Sequence, residues 1–146
     1  MRLHKQAHTT YRNQYHIVWV TRYRHPWLTH GIDEYLKLKL RAVTKYHPDW
    51  EIMEIGIDKD HVHIHIVIPP KYAVSSVVNA LKSNTAREMK AKFQPWLSRW
   101  YWDNGGIWSR GFFSSTVGIN ERVIRNYVQQ QGEDDAGQAS QLALLS

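Results

Sequence analysis

The sequence predicts an α+β fold, a ferredoxin-like (RRM-like) antiparallel sheet with helices on one face, in the order β-α-β-β-α-β-α. Three observations lead there. Short runs rich in β-branched and aromatic residues alternate with longer runs of helical period. Two of the strand-like runs are separated only by the turn "DKD", the mark of a hairpin. The 146 residues, 42% of them hydrophobic, suffice for a single core, with no internal repeat or low-complexity linker. The resulting order is the split βαβ arrangement.

Each element has its own signal. "YHIVWVTRY" (15–23) reads as the first strand. From Thr29 to His47 the period becomes helical, with Ile32, Leu36, Leu40 and Val43 on one stripe, Asp33 near the positive N-terminal end and Pro48 as the stop. "WEIMEIGI" (50–57) and "HVHIHIVI" (61–68) are the hairpin strands. Ser75 to Phe93 is a second helix, whose apolar stripe carries Val77, Val78, Leu81, Met89 and Phe93, with Val74 just ahead of it. "PWLSRWYWDNGG" is an irregular aromatic connection, "FFSSTVG" (112–118) a fourth strand, and Asn120 caps a last helix through Gln131. The acidic, small-residue stretch 132–146 is expected to be a mobile tail or to serve in contacts.

Composition narrows the class of function. The chain lacks cysteine, which excludes disulfides and thiolate metal sites. No apolar run approaches the ~20 residues of a membrane span, and the N-terminus lacks a secretory signal, so a cytoplasmic protein with no membrane partner is expected. The formal net charge is +6, and its distribution says more than its total. No acid precedes Asp33, whereas Arg2, Lys5, Arg12, Arg22 and Arg24 do, and between Pro70 and Arg110 the only acids are Glu88 and Asp103. Tyr11, Tyr15, Trp19, Tyr23, Trp27, Trp96, Trp100, Tyr101, Trp102 and Trp108 sit among these cations. Cations for phosphates interleaved with rings for unpaired bases make the pattern of a single-strand nucleic-acid surface. Packing in the core is the competing role for any one of these rings. Arg22, Arg24, Lys82, Arg87 and Arg110 are the candidate phosphate contacts.

The chemistry concentrates in "KDHVHIHIVIPP". His61, His63 and His65 alternate with Val62, Ile64 and Ile66, so one face of the strand carries imidazoles and the other aliphatic groups. Imidazoles two apart lie roughly 6.5–7 Å apart at the backbone and can converge on one metal ion. A polar sheet surface is the ordinary alternative. All nine histidines lie at or before His65, so a third ligand would be an oxygen donor or an earlier histidine. In the last helix Tyr127 and Gln131 stand at i and i+4, on one face. Beside a His-x-His strand this spacing suggests a nucleophile next to a metal ligand; anchoring of the helix by a tyrosine is the plainer reading.

From about Tyr15 to Gln131 the chain resembles the single-tyrosine HUH transposases of bacterial and archaeal insertion sequences. The resemblance rests on the joint order and spacing of "YHIVWVTRYR", "DKDHVHIHIVIPP", "LKSNTAR", "IWSRGFFSSTVG" and "NYVQQQ". It implies one catalytic domain over 1–131, with Tyr127 as nucleophile and His61, His63 and Gln131 as ligands of a divalent metal, Mg²⁺ or Mn²⁺. His65 stands where the family usually has an aliphatic residue, which leaves His63 with His65 as the alternative register. The resemblance further implies single-stranded DNA with hairpins at element ends as substrate, a 5′-phosphotyrosine intermediate, and a homodimer with active sites shared in trans. Other HUH endonucleases, of the repeat-associated or replication-initiator type, and a non-catalytic RRM-like binding module are the alternatives.

Overall fold

The computed structural model describes residues 13–102 and 105–145, with side-chain surroundings given as far as residue 137. Tyr11 and the early cations Arg2, Lys5 and Arg12 lie outside the described residues. The elements are β1 (Asn13–Val20), a 3₁₀ turn (Arg22–Arg24), α1 (Ile32–Tyr46), β2 (Glu51–Asp58), β3 (His61–Ile68), α2 (Val74–Leu97), β4 (Phe113–Ser115) and α3 (Glu121–Leu145). All strand pairs are antiparallel, in the order β2-β3-β1-β4. This is the ferredoxin-like arrangement expected. Among the described residues no helix is long and apolar enough to cross a membrane.

The period-two alternation of β3 sorts its residues between two faces. Val62, Ile64 and Ile66 are fully buried together with Ile17 and Trp19 of β1, and pack against Leu36 and Leu40 of α1 and Val77, Val78, Leu81 and Met89 of α2. Each such side chain contributes roughly 1.5–3 kcal/mol of burial. The opposite face carries the three histidines. By register it also carries Val18 and Val20 of β1, which stand across from His63 and His61. Both valines have no exposure, so this face is covered near its centre rather than open. The cover is α3, which packs along β1 and the 3₁₀ turn, away from α1 and α2.

Several boundaries differ from expectation for physical reasons. β1 ends at Val20 because the chain turns into the 3₁₀ segment. α2 runs through Pro95: a break at Phe93 (φ −121°, ψ 28°) restarts the helix, and proline is tolerated in a first turn, where its missing N–H has no helical partner. β4 is shorter than expected. α3 starts as expected, with the Asn120 side chain accepting from the Val123 N–H at 2.9 Å, but it does not stop at Gln131. The stretch expected as a tail is helical to Leu145. Gly132 supports this, since a Cβ there would come within 3.2 Å of the Arg24 side chain. β1, despite its long apolar run, is interior; the edges are β2 and β4.

Most of the aromatic pattern is core. Trp19, Trp27, Tyr101 and Trp108 are buried; the polar atoms of the last three are used internally, whereas Trp19 Nε1 has no hydrogen-bond partner among the described residues. Trp27 Nε1–H donates to the Tyr101 hydroxyl, which donates in turn to the Arg22 carbonyl, and Trp108 Nε1–H donates to Thr85 Oγ1. Trp102, 87% exposed, remains available for stacking.

The two-faced packing has a direct consequence for stability. Ile64→Ala should cost about 2–5 kcal/mol in urea unfolding. Leu38→Ala, on the 62% exposed side of α1, should stay within about 0.5 kcal/mol.

Candidate active site

β3 enters the site directly after the two-residue turn at Lys59 and Asp60, so His61 opens the strand and His63 lies one pleat further in. Both border a cleft of about 420 Å³, with Arg24, Gly56 and Asp60 on the sheet side and Glu121, Ile124, Arg125 and Val128 of α3 opposite. Gly56 pairs with His63 across β2 and β3 and borders the same cleft.

The histidines differ in their partners. His61 Nδ1 lies 2.8 Å from Asp60 Oδ1. His63 Nε2 lies 3.4 Å from Nδ1 of His16, a residue the sequence reading did not single out. Burial, aided by the charge of His16, holds the His63 pKa below its ordinary value, so the ring is neutral and carries a lone pair at neutral pH. His65 does not border the cleft: its Nε2 is 2.9 Å from Gln14 Oε1 and its ring stacks on His16 at 4.4 Å between centroids.

Asp60 was also missed. Its carboxylate meets His61 through Oδ1 and accepts from Arg24 Nε–H through Oδ2 at 3.0 Å. Burial alone would raise its pKa, but the hydrogen bonds with His61 and Arg24 outweigh this and hold it below the usual carboxylate range.

The turn that delivers Arg24 is strained. Tyr23 (φ 58°) and Arg24 (φ 60°) are both left-handed without being glycine. Such conformations cost on the order of 1 kcal/mol or more each and persist only where the surroundings over-determine them. Here Thr21 Oγ1–H donates to both the His25 and Asp60 carbonyls, the Arg24 N–H donates to the Thr21 carbonyl, and the Tyr23 N–H donates to Asp135 Oδ2 at 2.8 Å. Asp135 comes from the extension of α3, is 5% exposed, and also accepts from Ser109 Oγ–H. The sequence signal for it was lost in an acidic stretch read as a tail.

Tyr127 lies elsewhere on α3. Its ring packs against Phe113 of β4, centroids 5.8 Å apart, and neither Tyr127 nor Gln131 borders the cleft that His61 and His63 share. The reason is helical geometry: Ile124 and Val128 face the cleft, and Tyr127 is one residue, about 100°, away from Val128. Burial first, then the charges of Asp135 and Asp134, pushes the Tyr127 pKa up to about 12. In this seat the phenol keeps its proton and is a weak nucleophile.

The candidate phosphate contacts divide. Arg24 borders the cleft, and Arg110 lines a hollow with Arg22, Tyr23, Ser109 and Asp135. Arg22 donates to the Gly106 carbonyl and the Tyr23 hydroxyl. The Lys82 ammonium donates to the carbonyls of Ser109 (2.7 Å) and Gly111 (2.9 Å), and burial pulls its pKa down to about 8. Arg87 lies on the opposite side of the molecule, in a groove between α1 and α2, bonded to Asn84.

Two imidazoles on one cleft, one ring held by a carboxylate and the other neutral, fit a divalent cation. Among the described residues no group of three or more His, Asp or Glu side chains is placed to hold an ion.

The family model described as IS200-like transposase matches residues 9–131. The ISDra2 transposase TnpA of Deinococcus radiodurans is 30% identical over 126 residues, 86% of this chain and 88% of that protein. The transposase for insertion sequence element IS200 of Salmonella typhimurium is 31% identical over 135 residues, 88% of this chain and 83% of that protein. A crystal structure of a Deinococcus radiodurans protein assigned as a transposase superposes with a TM-score of 0.78 at 29% identity, over 88% of this chain and 98% of that one. The structure of a REP-associated tyrosine transposase bound to a REP hairpin superposes with a TM-score of 0.54 at 16% identity, over 88% of this chain and 68% of that one, which shows the fold alone.

The seat of α3 is open to a direct chemical check, because the chain has no cysteine of its own. A Cβ at Gly132 would stand 3.5 Å from the Arg24 Cβ, at the short end of disulfide spacing. In protein free of DNA, before any exchange of α3 between copies, Arg24→Cys with Gly132→Cys should oxidise within one chain and run at monomer mass on a non-reducing gel. A band at dimer mass would mean that a second copy's helix fills this seat.

Proposed function

The chain belongs to the IS200-like transposase family, and from that premise we propose that it cuts and rejoins single-stranded DNA through a covalent bond to Tyr127. One observation supports this reading above the rest: His61 and His63 border a single cleft whose far wall is the helix that carries Tyr127. The Tyr127 hydroxyl oxygen attacks the phosphorus and loses its proton. The bond to the 3′ oxygen breaks, giving a 5′-phosphotyrosine and a free 3′-OH. Rejoining is the reverse attack by a 3′-OH, which restores the tyrosine. One ester bond replaces another, so the reaction needs no nucleotide triphosphate.

His61 and His63 would hold the divalent metal, Mg²⁺ or Mn²⁺, with Gln131 as the oxygen donor. When bound, that ion supplies charge neutralisation at the phosphate. Asp60 keeps the His61 ring in place, and Arg24 offers its outer N–H groups to phosphate oxygens from the same cleft. The borders of the cleft favour His61 with His63 over His63 with His65, which is tied to Gln14. Among the cationic residues, Arg24 and Arg110 are the favoured DNA contacts, since Lys82 is turned inward and Arg87 lies on the far side. Hairpin-bearing element ends are the proposed substrate; the fold neighbour bound to a REP hairpin is consistent with that choice.

The active species is a homodimer in which α3 of one copy completes the cleft of the other. The own-chain seat supports this, because there Tyr127 rests on Phe113, away from the histidine cleft. Mixed dimers provide the test. A Tyr127→Phe subunit combined with a His61→Ala, His63→Ala subunit forms one intact site if sites are shared and none if they are not. Cleavage should return in the mixture; its absence in demonstrated heterodimers refutes the shared site.

The chemistry is tested separately. Wild-type protein with Mn²⁺ and single-stranded hairpin DNA should give an adduct that survives denaturant. Tyr127→Phe should give none, yet retain DNA binding. An adduct on the Phe variant would move the nucleophile elsewhere.

A further inference from the structure

We propose that Asp60 is a positioning residue of the cleft, whose two carboxylate oxygens set the ring tautomer of His61 and the direction of the Arg24 guanidinium together. The inference rests on the metal-assisted reading above for its purpose, but its geometry stands without it.

Asp60 is well placed to hold both groups still. It is 5% exposed and sits in the turn between β2 and β3, not on a strand. Its own carbonyl accepts from the Thr21 N–H at 2.9 Å and from Thr21 Oγ1–H at 3.1 Å, so its backbone is tied to the end of β1. From that anchored position Oδ1 reaches His61 Nδ1 at 2.8 Å and Oδ2 reaches Arg24 Nε at 3.0 Å.

An ionised carboxylate only accepts hydrogen bonds. His61 must therefore carry a proton on Nδ1, which leaves Nε2 as its free lone pair when the ring is neutral. A histidine without such a partner populates both tautomers and rotates more freely, so part of its population presents an N–H where a ligand nitrogen is needed. The second oxygen does comparable work on Arg24. It takes the Nε–H and leaves the two terminal NH₂ groups, with four further donors, on a side chain that is 46% exposed and borders the cleft. The strained backbone at Tyr23 and Arg24 delivers the arginine to this contact. One buried carboxylate thus aligns a ligand nitrogen and a phosphate donor, and among the described residues neither makes a side-chain hydrogen bond to any other side chain.

The test separates this inference from the functional reading. In metal-free protein labelled with ¹⁵N-histidine, wild-type His61 should show the Nδ1–H tautomer, and Asp60→Ala should shift it toward a mixture. Mn²⁺ binding, followed by electron paramagnetic resonance, should weaken about 10- to 100-fold in Asp60→Ala. Arg24→Ala should leave the tautomer and the Mn²⁺ affinity unchanged while weakening metal-free binding of single-stranded DNA. Asp60→Asn keeps the side-chain shape should the alanine variant fail to fold; its amide can accept from only one of the two partners, so it should lose either the His61 tautomer or the Arg24 contribution to DNA binding. An unchanged tautomer together with unchanged Mn²⁺ and DNA affinity in either Asp60 variant overturns the inference. A wild-type protein that binds no Mn²⁺ but shows the tautomer shift in Asp60→Ala overturns the metal reading and upholds the positioning role.

Discussion

The two-residue repeat of β3 is the constraint on which the rest of the molecule depends. Because successive side chains of a strand point to opposite faces, eight residues build both the core and the candidate site. Val62, Ile64 and Ile66 are driven into the layer of α1 and α2, and the histidines between them have no choice but to face the other way. A slip of one residue would drive imidazoles into the helices and isoleucines into the cleft, so the packing of the core protects the register of the site. The same strand lies between β2 and β1, which fixes it on both edges.

A second level of order comes from two buried carboxylates that grip one strained turn. Asp60 reaches it from the β2–β3 connection and Asp135 from α3. Between them the chain at Tyr23 and Arg24 is held in a conformation that neither residue prefers. The arrangement couples three parts of the sequence far apart in number, and it decides which cations look outward. Arg24 stays at the cleft, whereas Lys82 closes the loop that carries Ser109 and Gly111. A basic composition therefore overstates the phosphate-binding surface, since part of it stabilises carbonyls inside the fold.

The same coupling bears on how α3 relates to the cleft. Its seat is secured two turns beyond Tyr127 by Asp135 and by the close approach of Gly132 to Arg24. With the helix held there, its rotation is set, and the residues presented to His61 and His63 are Ile124 and Val128. The tyrosine stays on β4 in a setting that keeps the phenol protonated.

The order of strands and helices, the apolar face of β3, the stripe of α1 and the capping of α3 by Asn120 were legible in the sequence by itself. All of these follow from periods of two or of 3.6 and from capping chemistry, which act between residues close in number. The candidate residues were legible as types at a spacing, and the resemblance to a family assigned their roles. Tertiary structure alone decided the rest. Whether Tyr127 or Val128 faces the histidines depends on a rotation of about 100° that no local rule selects. Asp60 sits in a turn, where alternation says nothing about direction, and Asp135 gains its partners only when α3 meets the 3₁₀ turn. The aromatic residues between the cations read alike in sequence, yet Trp27 is buried and Trp102 is exposed, because burial is set by what the rest of the chain brings to each ring rather than by its neighbours in number.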